Sequence, residues 1–354
     1  MSIEPVPSGP TVASDTYRNR VEDSASRLLP GFWNRTTLSS SLRARGDQQQ
    51  KLFAAARQAR RIAYGDRVIV RGLMEVTNLC RVNCEFCPMR RDNTRQNSLF
   101  EMSEEQILET AAQIKESGIN TVFLQAGEIK KTTQIVGNVI PKIRSIFGGA
   151  VEVLLCLGNK EEEEYLFLRR QGATSYILKH ETSDPDLNEK MRHSSFADRI
   201  EGLRTLVRLG YKVGTGAIVG LPGQTVESLA DDLLLAREIG VHMVSASPFI
   251  AAPDTPLAHH PPGDVDLTLN FIALARLMNP EWLIPSVSAL ETRQSGGQSS
   301  GLAAGANVLT VNFTPVHERS NYLIYGKDRF VVRNDHVNDM LAKAGMERIR
   351  SVFV

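Results

Sequence analysis

Three of the chain's four cysteines fall within eight positions, in the run Glu75-Val-Thr-Asn-Leu-Cys80-Arg-Val-Asn-Cys84-Glu-Phe86-Cys87-Pro88. Thiolates are ligands for zinc and for iron–sulfur clusters. A structural zinc site wants four ligands, usually as two separated pairs, and Cys156 has no Cys or His two to four residues away. A disulfide is disfavoured by the odd number of clustered thiols. In the third reading, three thiolates hold three irons of a [4Fe–4S] cube and leave the fourth iron open to a small molecule. An open iron is a place for chemistry.

Other chemically capable residues stand at the ends of apolar runs. Gln125-Ala126-Gly127-Glu128 closes one run, with small residues that let backbone approach a ligand and a carboxylate behind them. Lys179, His180 and Glu181 close another. Three ionisable groups there are costly to bury unless they bind something. Lys179 and His180 are the candidates for a direct catalytic role, although a histidine is as readily a satisfied core residue. Arg199, on the following helix, suits a carboxylate, which guanidinium grips through two bonds. Thr182 or Asp184 serves equally as a helix cap. Gly216-Ala-Ile218-Val-Gly220 makes a tight strand-to-helix turn, with Thr225 as the cap of the next helix.

These segments require a scaffold that brings strand ends together. Short apolar or β-branched runs predict strands over Val68–Val76, Thr121–Gln125, Val151–Cys156, Ser175–Leu178, Lys212–Val219, Met243–Ser247, Leu283–Ser288 and Asn307–Asn312. Between them, periodic apolar patterns predict helices over 104–117, 133–146, 160–171, 195–209, 225–239 and 266–278, with a last helix over 335–346. The stretch 292–306 is rich in Gly and Ser, and only its end is expected to be helical. Strict alternation predicts a parallel sheet, and eight units predict a complete (β/α)8 TIM barrel, an α/β fold with an N-terminal helical extension. The expected divisions are a disordered tail at 1–15, the extension at 16–66 and the barrel at 67–354. Barrel active sites sit at the C-terminal ends of the strands, and Cys80 to Cys87 follow the first strand directly.

Composition excludes other classes. A hydrophobic content of 42% with 23% charged residues is that of a globular chain. Lys+Arg 41 against Asp+Glu 40 provides no electrostatic case for nucleic acid or an anionic membrane. No apolar run is long enough for a bilayer, and the polar, Pro/Ser-rich start is no signal peptide, so the cytoplasm is the expected compartment.

The pattern Cys80-x3-Cys84-x-Phe86-Cys87 after a strand resembles the signature of the radical S-adenosylmethionine (SAM) superfamily. That resemblance implies one [4Fe–4S] cluster on the three cysteines, an open iron chelated by the amino and carboxylate groups of SAM, and Phe86 near the adenine. Ala126-Gly127-Glu128 is similar to the superfamily's G-G-E segment at the methionine amino group, and Ile218 to the apolar residue that packs on the adenine. Within the superfamily, FLQAGE (123–128), the H-E-T to K-x-R run (180–192), IVGLPGQT (218–225), PFIAAPDTPL (248–257) and GANVLTVNFTP (305–315) resemble the [FeFe]-hydrogenase maturation radical enzymes and their relatives, methylornithine synthase and biotin synthase. Carried onto matching positions, Glu128, Glu181 and Arg199 would hold SAM, with Gln125 nearby. The implied chemistry is reductive cleavage of SAM to a 5′-deoxyadenosyl radical, in an enzyme of the lyase, mutase or cofactor-maturation type. The implied partners are a small substrate and a one-electron donor such as flavodoxin or ferredoxin, for which Arg81, Arg90 and Arg91 flank the cluster loop.

Departures from these families narrow the reading. Biotin synthase holds a second cluster on three cysteines and an arginine, and the matching positions here are Leu124, Cys156, Gly214 and, for the arginine, Ser286. One thiol cannot hold that cluster, so sulfur insertion is not expected and Cys156 is a small buried hydrophobe. The maturation enzymes' carboxylate anchor, an arginine and two threonines, corresponds to Lys179 and Val287-Ser288. A carboxylate-bearing, amino-acid-like substrate follows from the retained charge, with Lys179, Ser286, Ser288, Thr310 and Asn312 as pocket candidates and Thr314 beside them. A zinc-holding adaptor and a cluster carrier that assists metallocofactor assembly without turnover are the other readings.

Overall fold

The computed structural model describes residues 33–94 and 98–354. The expected tail, and the expected extension as far as residue 32, lie outside them. Two helices precede the sheet, α1 (Arg35–Leu42) and α2 (Gly46–Tyr64). The sheet comprises β1 (Arg67–Thr77), β2 (Thr121–Ala126), β3 (Glu152–Cys156), β4 (Ser175–Ile177), β5 (Lys212–Val219), β6 (Met243–Pro248), β7 (Val308–Asn312) and the short β8 (Glu347–Ile349). Seven strands run in the order β6-β5-β4-β3-β2-β1-β7, and β8 pairs with the start of β1. Every pairing between these strands is parallel. The intervening helices are α3 (Glu104–Glu116), α4 (Lys130–Ile146), α5 (Glu162–Gln171), α6 (Pro185–Arg192), α7 (Phe196–Arg208), α8 (Val226–Ile239), α9 (Val265–Met278), α10 (Ser288–Arg293), α11 (Gly297–Ala303), α12 (Val316–Arg319) and α13 (Asn334–Ala344).

The period-2 geometry of a strand explains the two cores. Along β1, Val68, Val70, Met74 and Val76 face outward into the layer between sheet and helices. Ile69 and Leu73 face inward, where they join Phe123, Leu154, Met243, Leu283 and Val308 in a second apolar cluster that fills the sheet's concave side. Parallel strands buried on both faces read as near-continuous apolar runs, which is why they were legible. Caps then fix the helix starts. Ser103 forms a capping box with Gln106 before α3, Asp184 accepts from Leu187 N before α6, and Thr225 accepts from Ser228 N before α8.

One strand expectation is corrected. Leu283–Ser288 forms no regular strand: it meets β6 through a single bridge, Met243 with Leu283, and β7 through another, Pro285 with Val308. Pro285 has no N–H to give a ladder. The Ile284 N–H goes to the Asn307 side chain at 2.9 Å instead of to a strand carbonyl. Ser288 then opens α10. The protein is an α/β fold with a curved parallel seven-strand sheet, and the eighth strand is the short β8 near the C-terminus. The Gly/Ser-rich stretch holds α11 toward its end, as expected.

Candidate active site

The cysteine loop leaves β1 at the C-terminal edge of the sheet. Cys80, Cys84 and Cys87 are free thiols. Gly127, after β2, is the reason the neighbouring loop can lie against them: a Cβ there would stand 2.0 Å from the Leu79 carbonyl oxygen and 2.8 Å from Cys80 Cβ. The Glu128 N–H then donates to Cys80 Sγ at 3.3 Å. Burial pushes the Cys84 thiol up to about 11, against the favourable charge of Arg192, and raises that of Cys87 further. Buried thiols are held neutral until a cation takes their protons, and guanidinium charge close by favours the thiolate form. That donor set fits an iron–sulfur cluster. Among the described residues no three His, Cys, Asp or Glu side chains converge as ligands of a single metal ion.

Charged residues surround this loop. Glu128 is buried and both its oxygens accept hydrogen bonds: Arg81 Nη2 lies 2.8 Å from Oε1, while the Asn159 N–H (2.8 Å) and Arg199 Nη1 (3.4 Å) donate to Oε2. Arg192 Nη2 stands 3.6 Å from the same Oε2. Glu181, four residues beyond the end of β4 and bridged to Ala217 of β5, lies in the left-handed region, φ 66°, an uncommon conformation for a non-glycine residue. Its N–H bonds Gly216 O and its carbonyl accepts from Ile218 N, so two bonds to β5 hold the strained residue. Burial works against its ionisation, but Lys179, Arg192 and Arg199 together hold the Glu181 carboxyl below its ordinary value. Phe86 packs with Leu187, Met191, Ile218, Leu221 and Phe249, an apolar wall opposite these charges.

The wall, Glu181 and Arg199 open onto a cavity inside the curved sheet, of about 1190 Å³ including its solvent-facing mouth, whereas Glu128, Arg81 and Arg192 face a neighbouring cleft that Arg199 shares. Phe86, Cys87, Gln125, Lys179, Glu181, Arg199 and Ile218 all line the cavity. A second lobe, lined by Glu75, Ser286, Ser288, Thr310 and Asn312, continues from it past Gln125 and Tyr325.

A family model described as the radical SAM superfamily matches residues 74–236. The chain is 40% identical over 278 residues to an [FeFe] hydrogenase maturase subunit HydE of Thermotoga maritima, covering 78% of this chain and 79% of that one. The chain belongs to the radical SAM superfamily. It is also 27% identical over 269 residues to a 3-methylornithine synthase of Methanosarcina acetivorans, covering 75% of each. A crystal structure of methylornithine synthase superposes with a TM-score of 0.80 at 24% identity, over 92% of this chain and 97% of that one, and so shares the fold.

In this radical SAM enzyme not every expected residue reaches the cavity. His180 faces away from it: fully buried, its Nδ1 lies 2.8 Å from Thr215 Oγ1 and its Nε2 3.3 Å from Asp232 Oδ1. A direct catalytic role is therefore corrected to an anchoring one, because Thr215 of β5 and Asp232 of α8 hold the His180 ring on the side away from the cavity that Lys179 and Glu181 line. Lys179 lines the cavity, but its Nζ is 2.9 Å from Glu181 Oε2, so its charge is already compensated. The Ser286 hydroxyl donates to Gln298 O, Asn312 Oδ1 accepts from Thr314 N, and Thr314 Oγ1 accepts from Glu75 N. Leu124 points into the sheet–helix core, whereas its neighbour Phe123 faces inward. Arg90 is buried against Asn83 and Asp92, which leaves Arg81 and Arg91 as the exposed cations of the loop.

Sequence reasoning passed over four residues. Arg192 ends the H-E-T to K-x-R run, where local pattern assigns it no role, yet it reaches the charge ring at Glu128. Tyr322 accepts from Gln125 Nε2 at 3.0 Å, from a loop near the C-terminus that no local pattern ties to β2. Glu75 is wholly buried on β1 and paired with Arg329 through both oxygens. Arg71 shares the inward face of β1 with Glu75. The i, i+4 spacing of two charges in an apolar strand was the available signal for this last pair.

Proposed function

We propose that this enzyme carries one [4Fe–4S] cluster on Cys80, Cys84 and Cys87 and cleaves SAM reductively, acting on a small carboxylate-bearing, amino-acid-like substrate in the same cavity. When bound, the cluster supplies the electron that splits SAM into methionine and a 5′-deoxyadenosyl radical, which takes a hydrogen atom from the substrate. Glu181 and Glu128 receive the methionine ammonium, and Arg199 and Arg192 its carboxylate, with Gly127 allowing close approach. Phe86 and Ile218 would supply the apolar surface for the adenine, and Gln125, bonded to Tyr322, lines both lobes of the cavity between the SAM and substrate ends. Ser288, Thr310 and Asn312 line the substrate end. The enclosing walls limit water at the site.

The observation that carries this reading is that Cys87, Glu181, Arg199, Phe86 and Ile218 line one cavity, with Cys80 and Cys84 on the same loop and Glu128 and Arg192 joined to Arg199 just behind it. The extension at 16–66 and the barrel at 67–354 are the functional divisions we assign, with the segment 283–285 completing the barrel between β6 and β7. Free thiols suit the cytoplasm, and Arg81 and Arg91 suit an acidic one-electron donor such as flavodoxin or ferredoxin. No helix among the described residues is long and apolar enough to cross a membrane.

The test is quantification of 5′-deoxyadenosine from anaerobically reconstituted protein with SAM, with and without reductant. Wild type is expected to form it only with reductant, Cys84→Ala not at all, and Cys156→Ala at the wild-type level. Wild-type protein that carries a cluster but releases no 5′-deoxyadenosine refutes the proposal.

A further inference from the structure

Four cationic side chains face the cavity and its second lobe, and three of them are already matched. Lys179 is paired with Glu181 at 2.9 Å, Arg199 reaches Glu128 at 3.4 Å, and Arg329 grips Glu75 through both oxygens. Arg71 is different. It projects from the middle of β1 into the cavity, is 2% exposed, and has no carboxylate within 4.0 Å among the described residues. Among the described residues its one hydrogen bond is from Nη2 to Met243 Sδ at 2.9 Å, a weak thioether acceptor, and Nε has no partner. The carboxylate that acts on it from a distance is Glu152. That carboxylate is occupied by the hydroxyls of Thr121, Ser175 and Ser351, at 3.0, 2.6 and 2.5 Å.

A buried guanidinium with free donors is expensive unless a ligand completes it. Phe123 and Ile177, the apolar neighbours on the cavity wall, offer it nothing. A planar anion with two acceptor oxygens is the chemistry that a guanidinium fork recognises. We propose that Arg71 is the anchor for the substrate's carboxylate, at the deep end of the cavity, rather than Lys179 near its mouth. The inference rests on the proposed function for the identity of the cavity as a substrate site. It adds an orientation: the acidic end of the substrate points to the floor, and the carbon to be activated points up toward the cysteine loop. Lys179, with Glu181 as its partner, then belongs to the SAM end.

The probe is [1-13C]acetate, with 15N-nitrate as an inorganic planar anion, titrated by NMR line broadening into reconstituted full-length protein without reductant. Saturable acetate binding is expected for the wild type, and Arg71→Gln is expected to weaken it at least about tenfold. Because that change leaves Glu152 without its distant cation, the double variant Arg71→Gln, Glu152→Gln removes both charges and is expected to fold and to show the same loss. Arg71→Lys, which keeps the charge and loses the fork, is expected to fall between. Acetate binding that survives in the double variant, no acetate binding by wild type, or nitrate binding without acetate binding overturns the assignment. Measuring 5′-deoxyadenosine on the same preparations separates the two readings. Radical formation with acetate binding indifferent to Arg71 sinks only the anchor, and Arg71-dependent binding without radical formation sinks only the proposed reaction.

Discussion

Replacing Arg329 by Met tests how the loop over the cavity is held. Arg329 Nη1 and Nη2 lie 2.5 and 2.8 Å from the two oxygens of Glu75, which is 0% exposed on β1. Arg329 also donates to Arg319 O, and the loop between them carries Tyr322, bonded to Gln125, and Tyr325, which lines both lobes of the cavity. Removing one partner of a buried pair leaves the other charge uncompensated, at a cost of about 3–5 kcal/mol. With an unfolding entropy of roughly 2.1 cal/mol/K per residue, 1 kcal/mol is worth about 1.4 °C in a chain of 354 residues, so the expected fall in Tm is about 4–7 °C. The double variant Glu75→Leu, Arg329→Met, which removes both charges, is expected to recover most of that loss. Thermal unfolding followed by circular dichroism reads the Tm, and hydrogen exchange reads the loop, whose amides between 320 and 331 are expected to lose protection in the single variant. A single variant within about 1 °C of wild type, or a double variant as unstable as the single, refutes the view that this pair holds the loop by charge.

Two further outcomes follow from the site. Gly127→Ala places a Cβ 2.0 Å from the Leu79 carbonyl oxygen, a contact that only displacement of the cysteine loop relieves. Reconstituted Gly127→Ala protein is expected to hold less than about a tenth of the wild-type iron, read by iron analysis, while its far-ultraviolet circular dichroism stays that of the wild type. Glu181 has a depressed pKa in the folded state, so its contribution to stability is fully present above the unfolded value near 4.3 and is lost as pH falls through the lower folded value. Between pH 5 and 3 the wild-type Tm is therefore expected to fall more steeply than that of Glu181→Gln, and parallel curves would show that the surrounding cations do not stabilise the carboxylate.

Much of the site was local and therefore legible. The cysteine spacing, Gln125 to Glu128 and the Lys179 to Glu181 run each sit on one strand end, and a parallel sheet carries all its strand ends to one edge. The caps of α6 and α8 were readable for the same reason, since a cap involves residues three apart. What failed did so at side-chain direction and strand pairing. Whether His180 or its neighbours face the cavity is set by contacts with Thr215 of β5 and Asp232 of α8. The expected strand Leu283–Ser288 had a strand's composition, but Pro285 and the Asn307 side chain took away its ladder.

The sequence alone determined the chemistry available: three clustered thiols, acids and cations at strand ends, and alternating elements that bring them to one edge. Only the tertiary structure decided which charges are spent on each other. Glu75 with Arg329 and Glu128 with its guanidiniums are pairings across separate elements, Lys179 with Glu181 depends on both side chains turning to the same side, and the unmatched Arg71 is visible only after those pairs are drawn. The physical reason is that residue type and spacing are properties of the chain, whereas the partner of a buried charge is a property of the space around it.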